Sequence, residues 1–352
     1  MTGIRQRGAA LLLFCVALIA ASGVSLRHAL HDHRQQVRVQ SPGIRLQAAR
    51  DELLALAVSY ADHYGPSGAG PGHLPCPNTR VPDGRRENES PSPPCGGLPV
   101  VLGRLPRQAG SSAGSRVTVY QRGSYDHQDA LWYAVSGAFV NNPMGAAQIV
   151  NPGTRGALQL GLQEDIVAVV IYPGPAIGQQ RAARPSARPE AYLELENADA
   201  DVSFTSFGGV GGNDRVLPIT REQLMRVVRP RITAYLIDWL RQWSLASCGK
   251  PDYCFPFAAN DDGGLCETGL LSGRLPLQGA ACTGPGLLDP ELGLHLPLHR
   301  HWFVRNRWTE WVDYTVAAAC TSGERLCHIE VEDKAVDEPL SIRVDVAAPG
   351  PV

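Results

Sequence analysis

The chain has 352 residues and a mass of 37.8 kDa, which sets an expectation of two domains or one large one. With 44% hydrophobic and 19% charged residues it can build a sizeable core, which excludes wholesale disorder, and 37 glycines with 28 prolines exclude an all-helical bundle. A net charge of −2 and a pI near 6.6 argue against a nucleic-acid partner, which leaves a basic footprint.

The N-terminus reads as a targeting or anchoring element. Arg5, Gln6, Arg7 and Gly8 precede an uncharged run, Ala9 to Leu26, just long enough to span a bilayer as a helix. A secretory signal peptide would end near the small residues Ala20, Ala21, Ser22 and Gly23, and an uncut signal anchor is a second reading. The order Arg5-Gln6-Arg7-Gly8-Ala9-Ala10-Leu11-Leu12-Leu13 resembles the leader of type IV prepilin-like proteins. The resemblance implies that a prepilin peptidase cuts between Gly8 and Ala9 and that the apolar helix is retained. The family usually places Glu at the fifth mature position, where this chain has Leu13. A buried carboxylate needs a charged partner in the bilayer and Leu13 needs none, which fits a subunit at the tip of an assembly or outside it. Arg5 and Arg7 before the run are balanced by Arg27, Arg34 and Arg38 after it, so charge does not set the orientation. The cysteines do. Nine are present: Cys15 lies in the apolar run, and an even set of eight outside it points to disulfides in an oxidising compartment.

After a polar juxtamembrane segment, 27–42, Ser41-Pro42 starts a helix expected over 43–64. Leu74-Pro75-Cys76-Pro77, Asp83-Gly84, Cys95 and Gly103-Arg104-Leu105-Pro106 follow. Leu131–Ser136 reads as a strand and Ile166–Tyr172 as a buried strand ending in Pro173-Gly174-Pro175. The second half repeats the order. Thr220 and Gln223 form a capping box opening a helix to about Ala246, with a break or kink at Pro230. Then come Cys254-Phe255-Pro256, Asp262-Gly263, Cys266, Gly273-Arg274-Leu275-Pro276, a strand from Val312, and Ile342–Ala348 before Pro349-Gly350-Pro351. Landmarks in one order point to a duplicated module; the competing reading is that Pro-Gly turns recur by chance. Equivalent positions pair Cys76 with Cys95 and Cys254 with Cys266. Cys320 and Cys327 flank a hairpin turn, and Cys248 and Cys282 are left for each other.

The set of Arg50 with Leu53 and Leu54, then Leu-Pro-Cys-Pro, Gly-Arg-Leu-Pro, Leu-Trp-Tyr-Ala-Val-Ser and Ile-Val-Ala-Val-Val-Ile-Tyr-Pro-Gly resembles pilin-like or type II secretion-like membrane proteins. The expected fold is α+β: an N-terminal transmembrane helix, then two related helix-plus-antiparallel-sheet modules with disulfides. The expected boundaries are a leader over 1–8, the span over 9–26, the juxtamembrane segment over 27–42, a first module with a loop extension over 43–219 and a second over 220–352. The resemblance implies a non-enzymatic subunit of the inner membrane, with its body in the periplasm or on the surface. Its partners would be other pilin or pseudopilin subunits and the prepilin peptidase. A disulfide-rich hydrolase or glycan-binding protein with a cleavable signal peptide is the alternative.

Catalytic fingerprints of the zinc-protease, P-loop and Cys-x-x-Cys kinds are missing from the sequence. Gly208–Gly212 opens onto no helix and reads as a loop. The clusters His28, His31, His33 and His295, His299, His301 lack the convergence a metal site needs. Asn197, Asp199, Asp201 and Asn260, Asp261, Asp262 fit Asx turns better than calcium loops. Trp302, Phe303, Trp308, Trp311 and Tyr314 read as core rather than as a glycan platform. No cofactor is expected.

Overall fold

The computed structural model describes residues 42–66, 69–79, 95, 97–110, 116–120, 130–140, 148–184, 186–206, 212–247, 255–260, 267–277, 286–292, 296–317, 326–333 and 342–347. The leader and the apolar run lie outside these residues. Among the described residues no helix is long and apolar enough to cross a membrane. Leu46–Val352 forms one compact unit.

Helix α1, Pro42–Val58, buries Leu46, Ala49, Leu53, Leu56 and Ala57, a stripe at helical spacing. The helix expected over 43–64 is broken once, at Ser59. The Ser59 hydroxyl donates back to Ala55 O (3.1 Å) and Leu56 O (3.3 Å), a bond that competes with the backbone ladder. A short helix α2, Tyr60–Tyr64, follows and stops at Gly65, whose φ is 71°.

The first sheet has β1 (Val100–Arg104), β4 (Trp132–Ser136), β6 (Gln163–Tyr172), β5 (Leu158–Leu160) and β7 (Ser203–Phe204) in that order, with β8 (Arg215–Thr220) also pairing β6. A separate hairpin joins β2 (Gln108–Gly110) to β3 (Arg116–Thr118). β6 is longer than expected, but its buried part is the β-branched run from Ile166. Both its faces are covered, which is why the run is continuous rather than alternating. On one face Val101, Tyr133, Val135, Ala168 and Val170 join the main core with α1. On the other, Val100, Trp132, Ile166, Val169 and Ile171 pack with Tyr192, Leu193 and Phe204 from the stretch between β6 and β8. That stretch also contains α3, Gln180–Ala183.

Helix α4, Arg221–Ser247, opens with the predicted capping box: Gln223 N donates to Thr220 Oγ1 and Thr220 N donates to Gln223 Oε1, both at 3.1 Å. No break occurs at Pro230, which lies inside a single 27-residue helix. Burial of Leu224, Val228, Ile232, Leu236 and Leu240 holds the helix together across the missing donor. Beyond it come α5 (Asp289–Leu292) and α6 (Trp302–Arg305). The second sheet is antiparallel in the order β12 (Ile342–Ala347), β11 (Leu326–Asp333), β10 (Val312–Val316), β9 (Ser272–Gly273).

The two sheets match in register. Gly103 pairs Tyr133, Tyr133 pairs Val170 and Val170 pairs Leu217. Gly273 pairs Tyr314, Tyr314 pairs Val331 and Val331 pairs Ile342. Beside each glycine the next residue makes an isolated antiparallel bridge, Arg104 with Asn78 and Arg274 with Ala259. After each Gly-Arg-Leu-Pro, the next carbonyl accepts a later amide, Arg107 O from Val119 N and Leu277 O from Leu288 N. One landmark moves. The shared Pro-Gly-Pro endings match the strand at Ile342 to Ile166–Tyr172, but its sheet position is that of β8, and β11 holds the place of β6. The bridge register also puts Phe257 where the first half has Cys76.

Both halves feed one core. Leu53, Tyr133 and Val170 belong to the same buried cluster as Trp239, Trp302 and Tyr314. Trp302, Phe303, Trp308 and Tyr314 are buried, as a core reading requires.

Candidate functional site

The predicted disulfide between Cys76 and Cys95 is formed, with Cα atoms 5.7 Å apart. It ties the segment after α2 to a residue five positions ahead of β1, across a sequence separation of 19. Replacing both cysteines by serine should lower the unfolding free energy by about 3 kcal/mol, the entropy that such a loop removes from the unfolded chain. Urea denaturation of the native protein and the variant, both without reductant, checks this: the variant should unfold at a lower midpoint.

Cys15, Cys248, Cys254, Cys266, Cys282 and Cys320 lie outside the described residues, so those pairings are not drawn. Cys327 lies on β11 opposite Val346, and β10 and β11 are antiparallel neighbours, as the hairpin reading expected. Gly8, Ala9, His28, His31, His33, Asp261, Asp262 and His295 also lie outside. Asn197 is buried, whereas Asp199 and Asp201 accept from the amides of Asp201 and Ser203 (3.4 and 2.6 Å), the Asx-type turns expected. His299 is exposed and His301 is fully buried, so they do not converge. Among the described residues no group of three His, Cys, Asp or Glu side chains is placed to hold a metal.

A groove of about 330 Å³ lies between α1 and the β3 hairpin, lined by Glu52, Ser59 and His63 with Thr118 and Val119. Ser59 Oγ stands 3.4 Å from His63 Nε2. A nucleophilic serine must offer its proton to the base. The Ser59 proton faces the carbonyls of Ala55 and Leu56, so the pair is a helix-end contact rather than an activated nucleophile.

Two polar clusters escaped sequence reasoning. His301 caps α6, its Nδ1 accepting from Phe303 N at 3.2 Å. That acceptor role fixes the hydrogen on Nε2, which donates to Glu291 Oε2 at 2.9 Å. Trp239 Nε1 donates to the other oxygen of Glu291. Burial pushes the Glu291 carboxyl up, but the bonds from His301 and Trp239 outweigh it and hold the group below its ordinary range. With both ring nitrogens committed, His301 is structural.

The other cluster sits between β6 and β8. Asp214 is 0% exposed. Its Oδ2 accepts from Glu194 N (2.9 Å) and Asn197 Nδ2 (3.0 Å). Glu194 Oε2 accepts in return from Asn213 N (3.1 Å) and Asp214 N (3.2 Å), and Glu194 Oε1 accepts from Gln180 Nε2 (3.1 Å). Burial raises the Asp214 carboxyl to about 8; bonds from the Glu194 amide and Asn197 oppose the shift, and the Glu194 carboxylate adds to it. The only sequence signal was the presence of Glu, Asn and Asp flanking the glycine loop.

The described residues define a mixed α+β body with a disulfide. Comparison with known protein families, characterised proteins and solved structures gives no match.

Proposed function

We propose that the chain is a non-enzymatic, inner-membrane-anchored pilin-like subunit that takes part in assembly or tip formation of a type IV pilus or type II secretion pseudopilus. The observation that carries this reading is the basic leader ending at Gly8 directly ahead of the uncharged run from Ala9 to Leu26. The body behind it holds a disulfide, consistent with an oxidising compartment. Its partners are other subunits of the same class, met through apolar helix packing, with the prepilin peptidase as processing enzyme. The body is built from two copies of one helix-plus-antiparallel-sheet module, and the matched registers of the two sheets support that architecture. The first copy carries an extension that covers the outer face of its sheet. In the second copy β10 alternates buried and partly exposed positions, the pattern of a sheet covered on one side.

Mass spectrometry of the mature chain extracted from membranes tests the reading. A chain beginning at Ala9, eight residues shorter than the precursor, is the expected result. A soluble chain beginning at Gly23 or Val24 identifies a cleaved signal peptide and overturns it.

A further inference from the structure

Residues 173–214 connect β6 to β8 and supply Tyr192, Leu193 and Phe204 to the outer face of the first sheet. Three observations single out how they are held there. First, the two carboxyl groups of Glu194 and Asp214 tie the stretch crosswise, each accepting from the other residue's amide. Secondly, Asp214 Oδ1 is buried and has no hydrogen-bond partner among the described residues. Thirdly, the turn they hold is strained, since Leu195, an exposed residue, takes a left-handed φ of 48°.

A buried oxygen without a donor is costly on an ionised carboxylate and tolerable on a carboxylic acid. The titratable and charged groups that act on Asp214 are Glu194 from the same turn and Arg184 just after α3, and Arg184 in turn is flanked by Tyr172 and Tyr192. The Arg184 guanidinium is occupied by the carbonyls of Ala191 (2.8 Å) and Tyr192 (3.2 Å) and by Gln180 Oε1 (3.2 Å). It makes no direct bond to Asp214, and Glu194 brings a second negative charge. The cluster therefore accommodates one proton better than two negative charges.

We propose that the Glu194–Asp214 pair is a proton-dependent clasp: with Asp214 protonated residues 191–204 are locked onto the first sheet, and loss of that proton opens them locally. The sign follows from linkage. In the closed clasp the Asp214 proton is held up to about 8, whereas in an opened, solvated stretch the group returns to its ordinary value near 3.8. Opening is therefore opposed most strongly below the ordinary value, grows as pH rises between the two, and levels off above the higher one.

Hydrogen exchange on the full chain at pH 5.5 and pH 8 tests this, with rates corrected for intrinsic exchange. The amides of Glu194, Asn213 and Asp214 report directly, and those of Ile166–Ile171 in β6 serve as an internal reference. The clasp amides should open at least about tenfold more at pH 8, since each pH unit inside the window contributes up to tenfold. The β6 amides should not change. In Asp214→Asn, which keeps an acceptor oxygen but cannot ionise, the pH dependence should vanish. Equal protection of the native clasp at both values overturns the proposal, as does loosening of β6 in parallel or a pH dependence surviving in D214N. If D214N does not fold, the native comparison still decides. None of these results bears on where the leader is cut, so this inference and the proposed function stand or fall separately.

Discussion

Replacing Trp302 by alanine should lower the unfolding free energy by about 3–5 kcal/mol, the range for removing a large aromatic side chain from a packed core. Trp302 is 2% exposed, and its ring lies 5.2 Å from Tyr235, 5.9 Å from Trp239 and 5.7 Å from Phe303 between centroids. It also touches the first half. A Cβ added to Gly70 would stand 2.6 Å from Trp302 Cε3, and Trp302 N donates to Pro66 O at 2.8 Å. Beside it Asn306 Oδ1 accepts from Val150 N and Asn151 Nδ2 donates to Asn306 O, at 2.8 and 2.9 Å. The ring thus fills the seam where chain from both halves meets in a shared core. The cavity left by alanine cannot be confined to one half, so one cooperative transition should move down, by roughly 10 °C. Thermal unfolding followed by circular dichroism checks this. A cost below about 1 kcal/mol, or a split into two transitions, would show that the seam is not a shared core. A glycan platform makes a different forecast: loss of ligand binding with stability untouched.

What the sequence disclosed and what it hid follow one rule. Features set by neighbours in the chain were legible. Thr220 and Gln223 are three residues apart and cap α4 as predicted. The β-branched stretch from Ile166 is a strand because its own side chains prefer one, and its continuity announced that both faces are covered. Features set by distant partners were not. Trp239 and Glu291 are 52 residues apart, and Glu194 and Asp214 are 20 apart, so neither cluster has a spacing to recognise. One local forecast failed because a side chain competed with the ladder: Ser59 broke a helix that its neighbours would have continued. Of the break or kink read at Pro230, no break occurs, because the buried face continues past it in a helix that ends near Ala246 as expected. The duplicated order was visible, but the Pro-Gly-Pro endings aligned Ile342 with Ile166, whereas hydrogen-bonded register aligns it with Leu217. Turn composition marks where strands stop, not which neighbour they pair.

Gly103→Ala and Gly273→Ala should each destabilise the body by about 1–3 kcal/mol, and by similar amounts, because both glycines meet the same obstacle. A Cβ on Gly103 would stand 2.6 Å from Asn78 O, and one on Gly273 would stand 2.4 Å from Ala259 O. In both cases the obstacle is backbone, held by a reciprocal pair of hydrogen bonds to the following arginine. Arg104 N donates to Asn78 O and Asn78 N to Arg104 O at 2.9 and 2.8 Å; Arg274 N donates to Ala259 O and Ala259 N to Arg274 O at 2.9 and 2.8 Å. Neither side can retreat without losing a bridge, so the methyl group is relieved only by breaking it. Gly161 is the control. Nothing lies within 4 Å of its added Cβ, and only its φ of 60° resists substitution, for about 1 kcal/mol. Denaturant midpoints of the three variants separate the causes. If Gly103 and Gly273 behave alike and Gly161 is milder, the Gly-Arg-Leu-Pro segment marks the same crossing in both halves. If one of the pair tolerates alanine, the shared segment is a recurrence of turn chemistry rather than a repeated module. The test reads the steric requirement itself: whether the backbone carbonyl beside each glycine leaves room for a methyl group.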